Sequence, residues 1–217
     1  MRAKGNPGKR ERGNSILEFA VVIVFLVPLL LGTYSVGMMT VKSLQVIQVR
    51  NTAAQLFVKY IDLSKTANQD LIVRTAQGLG MTRTGGNGVV FLSQVVYVGE
   101  QQCAAGGLTK FECPNFGRYA FVKRITIGNA AMTIPSEGTT AKSMFGTPDP
   151  GILNADGSID LDDTLKDVSA IAVNVPADLP KDDAQFSFMA ETVFLAPELG
   201  VAGLNLGQPL RPRPYIS

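Results

Sequence analysis

The chain has 217 residues, with 20 basic and 18 acidic side chains, a formal net charge of +2 and no histidine. This near-neutral balance argues against a nucleic-acid partner, and the lack of histidine removes the commonest general base and a common metal ligand. The sequence contains no phosphate-binding glycine loop and no nucleophile elbow, so we predict that the protein is not an enzyme.

The N-terminus joins a basic leader to an apolar stretch. Residues 1–13 carry five basic residues and one acidic residue (5 − 1 = +4), which leaves 15 basic and 17 acidic residues (15 − 17 = −2) in the rest of the chain. The run Phe19–Val41 has 23 residues without a charge. As a helix it would be about 35 Å long, enough to cross a hydrocarbon core of ~30 Å. Because basic segments stay on the cytoplasmic side, we predict that the C-terminal body is exported.

Two other interpretations of this stretch stay open. A cleaved secretory signal would have an apolar core of only about 7 to 15 residues. A plain signal anchor would have the right length, but it would not explain Glu18, a carboxylate at the start of the span. Acidic residues inside membrane spans are costly and usually functional. At the depth of the lipid headgroups, in contrast, Glu18 would need no special role.

The junction between leader and span resembles the processing site of a known family. Gly13 is followed by Asn14, three further residues, and then Glu18 and Phe19. This order is similar to prepilins of the tight-adherence (Tad, or Flp) type IV pilus system, particularly their TadE and TadG branch. The resemblance implies that a prepilin peptidase cuts between Gly13 and Asn14. Ordinary type IV pilins begin with phenylalanine after the cut, and Asn14 departs from that pattern.

The resemblance also implies roles and partners. In the family, the glutamate contacts the new α-amino group of a neighbouring subunit, so Glu18 and Phe19 would be assembly residues. Such a pair specifies geometry more than it adds stability. The implied partners are the prepilin peptidase, other pilin subunits, the inner-membrane assembly platform and, before assembly, the lipid bilayer.

The implied location is the inner membrane with the C-terminal domain exported, and then a cell-surface pilus, or fimbrium, that serves cell adhesion. Tad major pilins are very short, so a mature chain of 217 − 13 = 204 residues resembles the minor class. The alternative is an uncleaved, single-span anchor whose exported domain binds or scaffolds envelope components.

One long helix is predicted from about Asn14 to near Lys65. We assign residues 14–41 to the membrane span and filament core, and residues 42–66 to an amphipathic continuation that packs on the exported domain. The apolar residues of that continuation are Leu44, Ile47, Ala54, Phe57, Val58 and Ile61. Pro28 removes one backbone hydrogen bond from the span and is predicted to kink or loosen it, as in the pilins or as in any membrane helix.

The exported domain is predicted over residues 67–198. A short helix should begin at 68–70 and end near Gly78 or Gly80. The β-rich runs are Val89–Val98, Arg118–Ile127 and Phe186–Leu195, with a weaker one at Ile171–Val175. The fold class is therefore α+β: a long helix packed by a small antiparallel sheet, as in pilins. The stretch Met189–Phe194 resembles the Ala-Glu-Val-x-aromatic strand of many TadE-like domains.

Cys103 and Cys113 are predicted to form a disulfide, because paired cysteines of exported proteins are usually oxidised. A disulfide that closes so short a loop contributes about 2 to 3 kcal/mol. Zinc would need further ligands, so we predict no metal at the cysteines.

One acidic loop is a candidate for calcium, because side chains that carry oxygen alternate along it. Its residues are Asn154, Asp156, Ser158 and Asp160. The EF-hand spacing is not met, and a plain turn is the competing interpretation. No other cofactor is predicted. Residues 199–217 form a Pro-rich tail that would either contact a neighbouring subunit or lie over the sheet.

Overall fold

The computed structural model describes residues 11–132, 134–136, 139–141, 143–182, 185–195 and 215–216. The first ten residues of the predicted leader and most of the predicted Pro-rich tail lie outside these ranges. The chain divides into two compact units, with the boundary between Ser43 and Leu44. Each unit is described separately below.

The first unit consists of one apolar helix. Helix α1 covers Glu11–Val58, and its part up to Ser43 belongs to this unit. Nearly every side chain from Ser15 to Val41 is exposed. Pro28 lies inside α1, which continues on both sides of it. The predicted long apolar helix is therefore present, and its apolar surface is not buried by the chain itself.

Helix α1 ends seven residues before the predicted end at Lys65. Tyr60 has a φ of 57°, in the left-handed region. The Tyr60 N–H donates to the Phe57 carbonyl at 3.0 Å and the Ile61 N–H donates to the Leu56 carbonyl at 3.1 Å. This is the Schellman pattern that ends many helices, usually with glycine in the left-handed position. The amphipathic helical continuation predicted for residues 42–66 therefore extends beyond the observed end of α1 at Val58.

The buried face of α1 in the second unit also differs from the predicted one. Val46, Val49, Ala53 and Phe57 are buried, at spacings of three and four residues. Of the residues predicted for this face, Phe57 is buried and Ala54 and Ile61 pack, partly buried, against the same core, whereas Leu44 and Val58 are exposed. The expected packing of the helix on the sheet is confirmed, but the centre of the buried face is rotated around the helix.

A short helix and a glycine turn lead from α1 to the sheet. Helix α2 covers Thr66–Thr75, and a 3-10 turn covers Gln77–Leu79. Gly80 follows with a φ of 72°. The predicted short helix and its glycine end are confirmed, although the helix begins slightly earlier.

The sheet is antiparallel. Its strands are β1 (Gly88–Tyr97), β2 (Tyr119–Gly128), β5 (Phe186–Phe194) and β6 (Tyr215–Ile216), in the order β2-β1-β5-β6. The three long strands match the three strongest β-rich runs to within one residue at each end, and the α+β layout is thus confirmed. The prediction of a weaker strand at Ile171–Val175 is wrong, because Ile171 makes only an isolated β-bridge to Ala120.

Both faces of the sheet are covered. On one face, Val90, Leu92, Ile125 and Ile127 pack with the buried residues of α1 and α2. On the other face, Phe91, Val95, Phe121 and Met189 pack with residues from the long segment between β2 and β5. That segment contains the hairpin of β3 (Ile134–Ser136) and β4 (Thr139–Ala141), and also α4 (Leu161–Lys166). Another short helix, α3 (Glu100–Ala105), lies between β1 and β2.

Candidate functional site

The exposed part of α1 is the first candidate site. Among the described residues, one helix is long and apolar enough to cross a membrane, and none of its most apolar stretch is buried. A membrane anchor and a signal sequence both satisfy this test of length and composition. The surface includes Phe19, exposed by 66 %. So large an apolar surface is unusual on a protein in water and indicates contact with lipid or with other helices.

The predicted processing residues lie in α1, close to the first described residue. Because α1 covers Glu11–Val58 among the described residues, the bond between Gly13 and Asn14 lies within helical backbone. Glu18 is exposed, and it follows Asn14 by four residues, which places both positions on one face of the helix about 6 Å apart along its axis. The ion pairs among the described residues do not include Glu18. In a membrane, a cation that pairs with the Glu18 carboxylate would therefore come from outside the described residues of this chain.

The two cysteines form the predicted disulfide. The sulfurs of Cys103 and Cys113 are 2.11 Å apart, and the Cα atoms are 6.0 Å apart. Both cysteines are buried, against Val98, Ala120 and Leu165. The bond therefore joins α3 to the loop that leads into β2, and it belongs to a small core rather than to a surface loop alone.

The acidic loop forms a hydrogen-bonded turn that packs on β2. The Asp156 carboxylate accepts bonds from the Ser158 N–H at 3.0 Å and the Ser158 hydroxyl at 2.6 Å. Hydrogen bonds from Ser158, together with the Lys123 ammonium 3.5 Å away, lower the pKa of Asp156. The Asn154 amide nitrogen, rather than its oxygen, faces Asp160 at 3.0 Å.

This geometry favours the turn over calcium. The Lys123 cation lies beside the carboxylate that a metal would need, and the Asn154 amide presents a donor instead of an acceptor. Among the described residues, no group of three or more acidic, histidine or cysteine side chains is placed to hold a metal ion. The loop instead extends the sheet, because the Arg124 N–H donates to the Gly157 carbonyl at 2.7 Å.

Two buried side chains of opposite charge lie on the sheet face away from α1, and the ion pairs among the described residues do not join them. Arg124 of β2 and Glu191 of β5 are 4 % and 1 % exposed. The Arg124 guanidinium donates to the Ser93 hydroxyl and lies 4.6 Å from the centre of the Phe91 ring. Burial lowers its pKa to about 10, and the charge of Glu191 opposes that shift.

Glu191 holds the segment that covers this face. Its carboxylate accepts bonds from the Ser143 hydroxyl at 2.6 Å and from the Met144 N–H at 2.9 Å. From the other side of β1, Arg124 donates to the Gly146 carbonyl at 3.5 Å. The sequence prediction did not assign a role to either charge. The available signal was weak: Arg124 follows Lys123 within one β-rich run, and Glu191 is the one charge of another.

Comparisons with protein-family models, with curated proteins and with solved structures found no match to this chain. The resemblance to Tad prepilins therefore depends on the residues of the leader junction and of the last long strand.

Proposed function

We propose that the protein is a structural, pilin-like subunit of a bacterial tight-adherence pilus, of the minor, TadE-like kind. A prepilin peptidase cuts it after Gly13, and it then assembles through its N-terminal helix for surface attachment. The observation that carries this proposal is a single carboxylate, Glu18, in the otherwise uncharged and largely exposed part of α1 from Ser15 to Val41, directly after a basic leader.

The physical argument concerns the charge of Glu18. An ionised carboxylate in the hydrocarbon region costs a few kcal/mol. Cleavage after Gly13 creates an α-amino group at Asn14, which supplies a cation at the same depth. When the amine of one subunit meets Glu18 of the next, both desolvated charges are compensated and the register between the helices is fixed. The role is structural, and the peptidase, the other pilin subunits and the assembly platform supply the remaining functions.

The alternative is an uncleaved membrane anchor that carries an exported binding or scaffolding domain. One observation favours it: α1 runs unbroken through the Gly13–Asn14 bond, and a peptidase would have to unwind this turn. In this alternative the location is the inner membrane throughout, and Glu18 lies at the headgroups.

The deciding experiment is N-terminal sequencing with intact-mass measurement of the protein recovered from its cells. The proposal expects a chain that begins at Asn14. Gly13→Val should abolish the cut and entry into filaments, whereas Gly8→Val, a matched change within the leader, should leave both intact. A wild-type chain that begins at Met1 or Arg2 would support the uncleaved anchor, and a cut beyond Gly32 would indicate ordinary secretion.

The role of Glu18 is tested separately. Glu18→Gln keeps the shape of the side chain and removes its charge, so cleavage should continue while incorporation into filaments falls. Glu100→Gln, a change in an exposed position of α3, is the control and should have no effect. Normal incorporation of the Glu18→Gln chain would refute the pairing role.

A further inference from the structure

Phe111 projects from the loop that the disulfide closes. It is 96 % exposed, more than any other large apolar side chain among the described residues. The Glu112 N–H donates to the Thr109 carbonyl at 3.0 Å, and the Glu112 carboxylate accepts bonds from the Thr109 N–H and hydroxyl at 3.1 and 2.7 Å. The turn is thus held in place on both sides of the ring. An aromatic residue on such a fixed turn loses less backbone entropy on binding than one on a free loop, and exposed aromatic residues are typical interface anchors.

The same unit carries an aromatic cluster, which we define as Tyr60, Phe188 and Phe186. Phe188 is half-buried against the core, and Phe186 lies two residues before it on the same face of β5. The rings of Tyr60 and Phe188 meet edge to face with centres 5.7 Å apart. Tyr60 and Phe186 are 74 % and 44 % exposed. Tyr60 has a left-handed backbone conformation although it is not glycine, and such conformations concentrate at functional sites. Edge-to-face contacts leave ring faces and edges available to a further ring.

Charges next to the two aromatic sites are complementary. Phe111 follows Lys110 and precedes Glu112, and Tyr60 follows Lys59 and is itself followed, two residues later, by Asp62. All four charged side chains are exposed, and Asp62 also lies 3.7 Å from the exposed Lys65 ammonium of its own chain, with which an incoming lysine would share it. If the two segments approach in antiparallel directions, each lysine meets a carboxylate. A parallel approach would instead place like charges opposite each other, so the charges also set the orientation of the two segments.

We propose that Phe111 of one copy of this chain docks on the aromatic cluster of a second copy. Two different surfaces of the same chain then meet, which is a heterologous contact and repeats from copy to copy. A single ring that packs on three others buries far less surface than the ~1,200 Å² of a stable interface. The contact therefore adds to an assembly made by the N-terminal helices, and to that extent it rests on the proposed function.

The test uses the full chain in the membranes and filaments of its cells. A photoreactive benzoylphenylalanine replaces Phe111, two differently tagged copies are produced together, and cross-linked peptides are mapped by mass spectrometry. We expect links from position 111 to the end of α1 or to β5 of the other tagged copy. Phe186→Ala should reduce this yield about threefold to tenfold, as expected for loss of an aromatic pair. Val168→Ala is the control, because Val168 is 68 % exposed but outside the cluster.

A charge exchange provides the second variant. Lys110→Glu should reduce the yield, and adding Asp62→Lys should restore it. Links only to the same copy, to lipid or to another protein would overturn the proposal, as would a yield that Phe186→Ala leaves unchanged. The proposed function fails separately: it fails if the chain is not cut after Gly13, whereas a cut and incorporated chain without the link contradicts this contact alone.

Discussion

The buried charges Arg124 and Glu191 provide a quantitative test of the fold. Both side chains are almost fully buried on the covered face of the sheet, and β1 lies between their strands. Removing one member of a buried charge pair leaves the other uncompensated, which typically costs 3 to 5 kcal/mol. Replacing both by apolar side chains of similar size is often close to neutral.

We therefore expect a large coupling between the two substitutions. Arg124→Met leaves the Glu191 carboxylate buried with only its bonds to Ser143 and Met144. Because the two charges are beyond ion-pair distance, this change should cost less than for a direct pair, about 2 kcal/mol. Glu191→Met leaves the guanidinium without a counter-charge and leaves the Ser143 hydroxyl and the Met144 N–H without an acceptor, and should cost about 3 kcal/mol. The double variant should cost only about 2 kcal/mol, mostly from the two donors left without an acceptor.

The free energy of unfolding can be measured by pulse proteolysis in urea, with the full chain in detergent micelles. Ser169→Ala, in the partly buried 3-10 turn after α4, removes one hydrogen bond from the Asp149 N–H. It is a control for small polar changes and should cost about 1 kcal/mol. If the double variant costs as much as the two single variants together, the charges do not compensate one another, and the argument from their mutual field is wrong.

Three further predictions concern the second unit. Replacing Cys103 and Cys113 by serine should lower the free energy of unfolding by about 2 to 3 kcal/mol in the same proteolysis assay, and an unchanged urea midpoint would contradict this. Gly157→Ala should cost at least about 2 kcal/mol, because its φ is +81° and the new Cβ would lie 2.4 Å from a backbone oxygen of β2; Gly107→Ala, with a φ of +72° but open space around it, should cost about 1 kcal/mol. The pKa of Asp156 is lowered in the fold. Its contribution to stability is therefore present above the unfolded pKa of about 3.9 and is lost as the pH falls through the lower folded pKa. Between pH 5 and pH 2, the melting temperature should thus decrease less for Asp156→Asn than for the wild type.

The strands could be predicted from the sequence because their signals are local. Runs rich in valine, isoleucine and phenylalanine lie between glycine and proline turns, and these residues suit a pleated, buried surface. The disulfide followed from an even cysteine count and a nearby pair. The end of α1 could not be predicted in this way. It depends on a left-handed tyrosine, where the sequence has neither glycine nor proline to indicate it.

The face of α1 that is buried depended on tertiary packing. Gln48, Asn51 and Gln55 are exposed, and these uncharged amides mark an outer face only weakly. Ala53, which is fully buried, allows close approach of the sheet but carries little hydrophobic signal. The roles of Arg124 and Glu191 depended on a covering segment whose own sequence shows no regular period. An alternation of polar and apolar residues predicts a solvated face unless that cover is known.

The two units have opposite relations to solvent. The second unit buries Val46, Val49, Ala53 and Phe57 of α1 in its own core, so the apolar face of this part of the helix is covered within one chain. The residues before Ser43 have no such core, and their burial requires lipid or other helices. Lipid alone would accept the apolar side chains but would penalise Glu18. A second helix that carries an α-amino group satisfies both, because it covers the apolar surface and compensates the carboxylate. For this reason assembly explains the composition of α1 more completely than anchoring does.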